Sequence, residues 1–165
     1  MNFPQDIPIN RSHEYYADTS GTLASSTHDF VYEYGRRYHG YRDGKHIFPN
    51  DDVNAHNEEI AHALFLRRLD DKLFMSPIQE PKQILDIGTG IGLWALDMAD
   101  RYPNAHVRAT DLTPLDIRGQ PPNLEFLVED VDSDWIPEKK YDFVHLRSLF
   151  GAQITWPKLY RQIFE

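Results

Sequence analysis

The 165-residue chain is 41% hydrophobic and 13% aromatic, enough for the core of one domain, since chains of this size bury roughly 70% of their unfolded surface. Its formal charge of -9, from 26 acidic against 17 basic residues, argues against a sequence-independent hold on phosphate backbones and so against direct nucleic-acid binding. Cysteine is absent, which excludes disulfides and thiolate metal sites and fits a reducing compartment, and no apolar run approaches the ~20 residues of a membrane span.

Residues 1–31 are expected to be a poorly ordered arm, because "DTSGTLASSTHD" (Asp18 to Asp29) is small and polar and offers little to bury. The start "MNFPQDIPINRSHEYY" has no charged-then-apolar signal pattern. A second segment, 32–79, opens with the aromatic and basic patch "YEYGRRYHGYRDGKHIFPND", punctuated by Gly35, Gly40 and Gly44. From Asp51 the pattern predicts a helix. Asp51 or Asp52 can cap it, His62, Leu66, Leu69 and Leu73 share one face at helical spacing, and Ser76-Pro77 ends it.

Over 80–165 short β-rich runs alternate with helical ones, the signature of a parallel sheet with crossover helices. Strands are predicted at Gln83 to Ile87, His106 to Thr110, Leu124 to Val128 and Tyr141 to Leu146. Helices are predicted from Leu93 to about Tyr102, ended by Pro103, and from Trp156 onward.

Between the first strand and first helix of that unit stands "ILDIGTGIGLW", Ile84 to Trp94. At the carboxyl end of a strand, glycines let backbone and ligand approach closely, and the free N–H groups of the following helix attract polar or negative groups. Ligands of open α/β sheets bind at that edge. The spacing excludes a dinucleotide fingerprint, because the third position counted from Gly88 and Gly90 is Leu93, and no Gly-Lys-Ser/Thr of a P-loop is present. An NAD-type oxidoreductase therefore loses on glycine spacing. No His-Glu-x-x-His metal pattern occurs, and the six-residue spacing in "HNEEIAH" (His56 to His62) puts its histidines on different helix faces. Gly-x-Ser-x-Gly is missing too, so a Ser-His-Asp hydrolase is unsupported.

The D-x-G-x-G-x-G loop resembles that of the class I S-adenosylmethionine-dependent methyltransferases, an α/β, Rossmann-like fold. The resemblance implies that Asp86 orients the loop and the amino group of S-adenosyl-L-methionine, and that Gly88, Gly90 and Gly92 pass along its methionyl and ribose portions. Asp111 in "RATDLTP" lies about twenty residues beyond the last glycine, where a carboxylate accepts hydrogen bonds from ribose hydroxyls. Asp130, at the end of the third strand, would receive the adenine amine, and His145 and Arg147, at the end of the fourth, would face the reactive end of the cofactor.

With "GRRYHGY", "FPND", "ATDLTP" and "WPKLYRQ" included, the chain looks like the fungal LaeA-like methyltransferases, a group of regulators and tailoring enzymes of secondary metabolism. By that resemblance the N-terminal patch packs over the cofactor pocket as a lid. Tyr38 and Tyr41 could lay their rings against the sulfonium cation, an attraction of ~0.5 to 2 kcal/mol, and Arg36 or Arg37 could reach a carboxylate. The alternative is that these residues simply dock the arm. Methyl transfer rests on orientation in a water-poor pocket, with a general base needed only when the nucleophile has a proton to lose. His39 and His145 are the candidates for that base.

The resemblance further implies seven strands, whereas the chain ends after the fourth. The sheet is then incomplete, with Tyr141 to Leu146 as an apolar edge open to self-association. The expected partners are a small-molecule acceptor or a regulatory protein, in the cytoplasm or nucleus and away from membranes. The alternative is a non-catalytic protein that keeps the cofactor cradle and works by binding a partner.

Overall fold

The computed structural model describes residues 15–16, 30–41, 44–135 and 140–164. The arm expected over 1–31 therefore lies outside the described residues, except for 15–16 and 30–31. A short strand β1 (Tyr15–Tyr16) is followed by a hairpin, β2 (Phe30–Glu33) and β3 (Arg36–His39), turned at Tyr34 and Gly35 with φ of 49° and 77°. Helix α1 (Asp52–Arg68) follows, then β4 (Gln83–Ile87), α2 (Leu93–Arg101), β5 (His106–Asp111), β6 (Asp116–Ile117), β7 (Leu124–Val128), β8 (Phe143–Leu146), a 3-10 turn Leu149–Gly151 and α3 (Trp156–Phe164).

Four strands form one sheet in the order β7-β5-β4-β8, parallel at every pairing, so β4, the first of them in the chain, lies inside, with β5 and β7 on one side and β8 on the other. This is the switch-point arrangement that opens a crevice at the carboxyl ends of the strands. β1 pairs antiparallel with β6 in a separate ribbon.

Both faces of the sheet are covered, as a parallel sheet requires. On one face Ile84, Val107, Ala109 and Leu124 pack with Trp94, Ala95, Met98 and Ala99 of α2. On the other, Leu85 and Ile87 pack with Leu159 of α3 and with Val144 and Leu146. Alternation along β4 divides its residues between the two clusters and leaves Asp86 on the α2 face, buried at 2% exposure.

Three boundaries differ from the sequence reading. α1 stops at Arg68, because Leu69 closes the last turn and Asp70 and Asp71 adopt φ of 53° and 58°. That reversal carries Leu73 into the core as a loop residue, although its spacing had placed it on the helix. β5 runs one residue further, through Asp111. β8 starts at Phe143: the Asp142 N–H still donates to the Gln83 carbonyl at 2.8 Å, but the Lys82 and Gln83 N–H groups go to the Asp142 carboxylate at 2.8 Å rather than to a backbone carbonyl.

Candidate active site

Gly88, Gly90 and Gly92 all have positive φ, 64°, 60° and 81°. A side chain is strained in that region whatever the space around it, and here there is little space. A Cβ on Gly88 would lie 2.2 Å from Leu149 Cδ2, one on Gly90 2.2 Å from Glu58 Oε2, and one on Gly92 2.8 Å from the Phe126 ring. Gly92 is also the N-cap of α2 and supplies no side chain to the free N–H groups there.

Two carboxylates instead take up N–H groups of the loop just before that cap. Asp111 Oδ2 accepts from Gly90 N at 2.8 Å while Oδ1 accepts from Thr113 N at 2.9 Å. Glu58, from α1, accepts from Ile91 N at 3.0 Å through Oε2 and from Asn54 Nδ2 at 2.7 Å through Oε1. Burial, reinforced by the nearby Asp111 charge and opposed by the Ile91 N–H, pushes the Glu58 carboxyl up to about 6.

Asp86 is held on both sides. Thr89 Oγ1 donates to its Oδ2 at 2.6 Å, and His145 Nδ1 lies 2.7 Å from its Oδ1. Asp86 and His145 are register partners on β4 and β8, which puts them side by side on one face. The His145 ring stacks on Trp94 with centroids 3.7 Å apart and planes 6° from parallel. Trp94 is itself fixed by its Nε1–H, which donates to the Leu73 carbonyl at 2.9 Å.

Arg147 extends from the end of β8 under α1. Its Nη2 donates to His62 Nδ1 at 3.0 Å, its guanidinium lies over the Phe65 ring at 4.6 Å, and His62 Nε2 is 2.9 Å from Asp97 Oδ2. Burial lowers the Arg147 pKa, against the opposing pull of Asp86, Asp97 and Glu58. His39, buried on β3, has its Nε2 at 3.1 Å from Thr113 Oγ1 and its Nδ1 at 3.4 Å from Asn50 Nδ2. Burial lowers its pKa, against the pull of Asp111.

These groups enclose one cavity of about 310 Å³, at the lower end of the range for small-molecule sites. Seven of the residues singled out from sequence line it: His39, Asp86, Gly88, Gly90, Asp111, His145 and Arg147. Gly92 is buried behind the loop against Phe126. Asp130 and Tyr41 line a smaller cavity of about 40 Å³ with Leu112, and His46 borders both spaces. Tyr41 Oη donates to Asp130 Oδ2 at 3.3 Å, so its ring does not face the larger cavity.

Tyr38 lines neither cavity, because strand alternation turns His39 inward and Tyr38 away. Arg36 and Arg37 dock the patch onto the segment that leads into α1. Arg36 makes a bidentate pair with Asp51, the α1 cap, at 2.6 and 2.8 Å, and Arg37 binds the Asn50 side chain and carbonyl.

Sequence reasoning missed Glu58, Trp94 and the mouth. Glu58 sits one helical turn before His62 on the inward face of α1, and that i, i+4 spacing was the available signal. At the mouth the Phe48 ring fills the space a Cβ on Gly151 would take, and it meets Phe150 edge-on at 5.6 Å. No signal local to the sequence pairs residues so far apart.

A parallel sheet whose first strand runs through a glycine cradle into a helix, with a carboxylate at the end of the next strand, defines a nucleotide-cofactor α/β domain. Residues 57–165 match the methyltransferase domain family, and the chain belongs to that family. It is similar to Methyltransferase pytC of Aspergillus terreus, 43% identical over 150 residues that cover 89% of this chain and 46% of that protein. It is also similar to the secondary metabolism regulator laeA of Aspergillus flavus, 38% identical over 144 residues (86% and 39% coverage). Protein-methionine methyltransferase laeA of Emericella nidulans is 36% identical over 143 residues (85% and 38% coverage). The resemblance read from the loop and its flanking motifs is thereby borne out, and the chain spans less than half the length of these relatives.

Proposed function

We propose that this chain binds S-adenosyl-L-methionine and transfers its methyl group to a small acceptor, in the secondary metabolism with which its LaeA-like relatives are linked by name. The observation that carries this reading is the cradle: three positive-φ glycines with no room for side chains, tied by Gly90 N to Asp111 at the carboxyl edge of the sheet.

The charge of the cavity fits the group. Glu58, Asp86 and Asp111 face it against the single guanidinium of Arg147, and the fourth lining carboxylate, Asp51, is neutralised by Arg36. Such a pocket favours a ligand that carries a sulfonium and an ammonium. Asp111 keeps unused lone pairs for ribose hydroxyls, since a carboxylate offers about four acceptor sites. Arg147 suits the methionyl carboxylate. Asp130 and Leu112, across His46, suit the adenine end. The group would supply an activated methyl, and the chain's own residues would orient it and keep water out.

The absence of cysteine supports a cytosolic or nuclear setting. Among the described residues no helix is long and apolar enough to cross a membrane.

Titration calorimetry with S-adenosylmethionine and its demethylated product tests the reading. Binding that Asp111→Ala weakens at least tenfold is expected. A folded chain that binds neither compound refutes it.

A second reading is favoured by one observation: among the described residues β8 pairs only with β4, so its outer edge is free to accept a strand. In this reading the chain works through self-association, with a second copy on that edge. A concentration-independent monomer in light scattering would exclude it.

A further inference from the structure

We propose that His145, held by Asp86, is the general base of the methyl transfer and that the acceptor is a phenol or enol hydroxyl on an apolar skeleton. The inference rests on the methyl-transfer reading above and adds to it the catalytic residue and the acceptor class.

The ring is fixed in three ways. Register pairing sets it beside Asp86, Trp94 covers one of its faces, and Trp94 is pinned to the Leu73 carbonyl. The tautomer is fixed as well. Asp86 takes the Thr89 hydroxyl proton on one oxygen, so the contact of 2.7 Å on the other requires a hydrogen on His145 Nδ1. The remaining nitrogen, Nε2, then carries the lone pair. Nε2 makes no hydrogen bond among the described residues, and it is not one of the buried unpartnered atoms there, which are His106 Nδ1 and Gln162 Nε2. It therefore opens on the cavity that His145 lines.

His39, the other candidate, is spent. Arg37 Nε donates to Asn50 Oδ1, which turns the Asn50 amide nitrogen toward His39 Nδ1, and His39 Nε2–H is left to donate to Thr113. No lone pair on that ring faces a substrate.

A base poised in this way is useful only to a nucleophile with a proton to lose, which a thioether lacks. Phe48, Pro49, Leu149 and Phe150 give the cavity an apolar wall, with the two phenyl rings packed edge to face, which suits the apolar body of such an acceptor. In the step, the acceptor oxygen gives its proton to His145 Nε2 and forms the bond to the methyl carbon while the carbon–sulfur bond breaks. The electron pair of that bond stays on sulfur, which becomes a neutral thioether. The imidazolium is stabilised by Asp86 and returns its proton to water after the methyl ether leaves.

The test uses 4-nitrophenol, whose phenolate absorbs apart from its phenol, bound to the complex with S-adenosylhomocysteine. S-adenosylmethionine binding is measured in parallel by calorimetry. In the unaltered protein the ionisation constant of the bound phenol should rise about tenfold, the effect of one pK unit from a positioned base. His145→Asn keeps a donor for Asp86 but has no basic nitrogen, and His145→Gln is the second variant should the first fold poorly. Either should lose the shift, and S-adenosylmethionine binding measured alongside shows that the site is still formed. A phenol that does not bind, or that ionises alike in both proteins while S-adenosylmethionine binds, overturns the base and acceptor assignment alone. Failure of the unaltered protein to bind S-adenosylmethionine overturns the methyl-transfer reading and this inference with it.

Discussion

Glu58→Gln should stabilise the protein at neutral pH while weakening its hold on a cationic ligand. Burial raises the Glu58 carboxyl from 4.5 to about 6. At 1.36 kcal/mol per unit this means that the ionised side chain costs the fold about 2 kcal/mol. The sign follows from linkage. The folded pKa is the higher one, so the stability that the protonated form provides is fully present below the unfolded value of 4.5 and is lost as pH rises through about 6.

Glutamine removes the charge yet keeps a carbonyl for Ile91 N, and its amide can donate to Asn54 once that side chain turns over. Rearranging one hydrogen bond reduces the gain to about 1 to 2 kcal/mol, or ~2 to 8 °C in Tm for a chain of this size. Urea unfolding followed by tryptophan fluorescence at pH 7.5 and pH 4 measures it. The gain should be present at pH 7.5 and absent at pH 4. A variant less stable at pH 7.5, or a gain equal at both pH values, would refute the reasoning. The same change should weaken S-adenosylmethionine binding about tenfold, a trade of stability against function.

Gly92→Ala should cost about 2 to 5 kcal/mol, from the left-handed backbone plus contact with Phe126 and Ile117, read as a lower urea midpoint. Trp94→Phe removes the donor to the Leu73 carbonyl and should cost about 1 to 3 kcal/mol by the same assay; unchanged stability would mean that the carbonyl finds water. Asp86→Asn should leave the loop bond from Thr89 but let the imidazole of His145 turn over. A switch of the protonated nitrogen, visible in ring nitrogen NMR shifts, would register the loss of the fixed tautomer.

Much of the sheet was legible because its signals are local. Strand β4 and the glycines announce themselves by an apolar run that ends in residues without side chains, and α2 ends just before Tyr102 and Pro103. The end of α1 was not legible, because the spacing of Leu69 and Leu73 continues a helical face across Asp70 and Asp71, which reverse the chain. Tyr38 was misplaced for a related reason: only the register of β3 decides whether it or His39 turns inward.

The sequence by itself determined the strand-loop-helix cradle and the carboxylate at the end of the next strand, since glycine conformational freedom and strand periodicity act over a few residues. Only the tertiary structure decided what the cradle faces. Glu58 and Ile91, Asp86 and His145, Phe48 and Phe150 are brought together by helix docking, strand register and the backbone bonds from Ile47 and Gln153 to Gly151 and Lys45. Those distances depend on how separate elements pack, a property that no local spacing encodes.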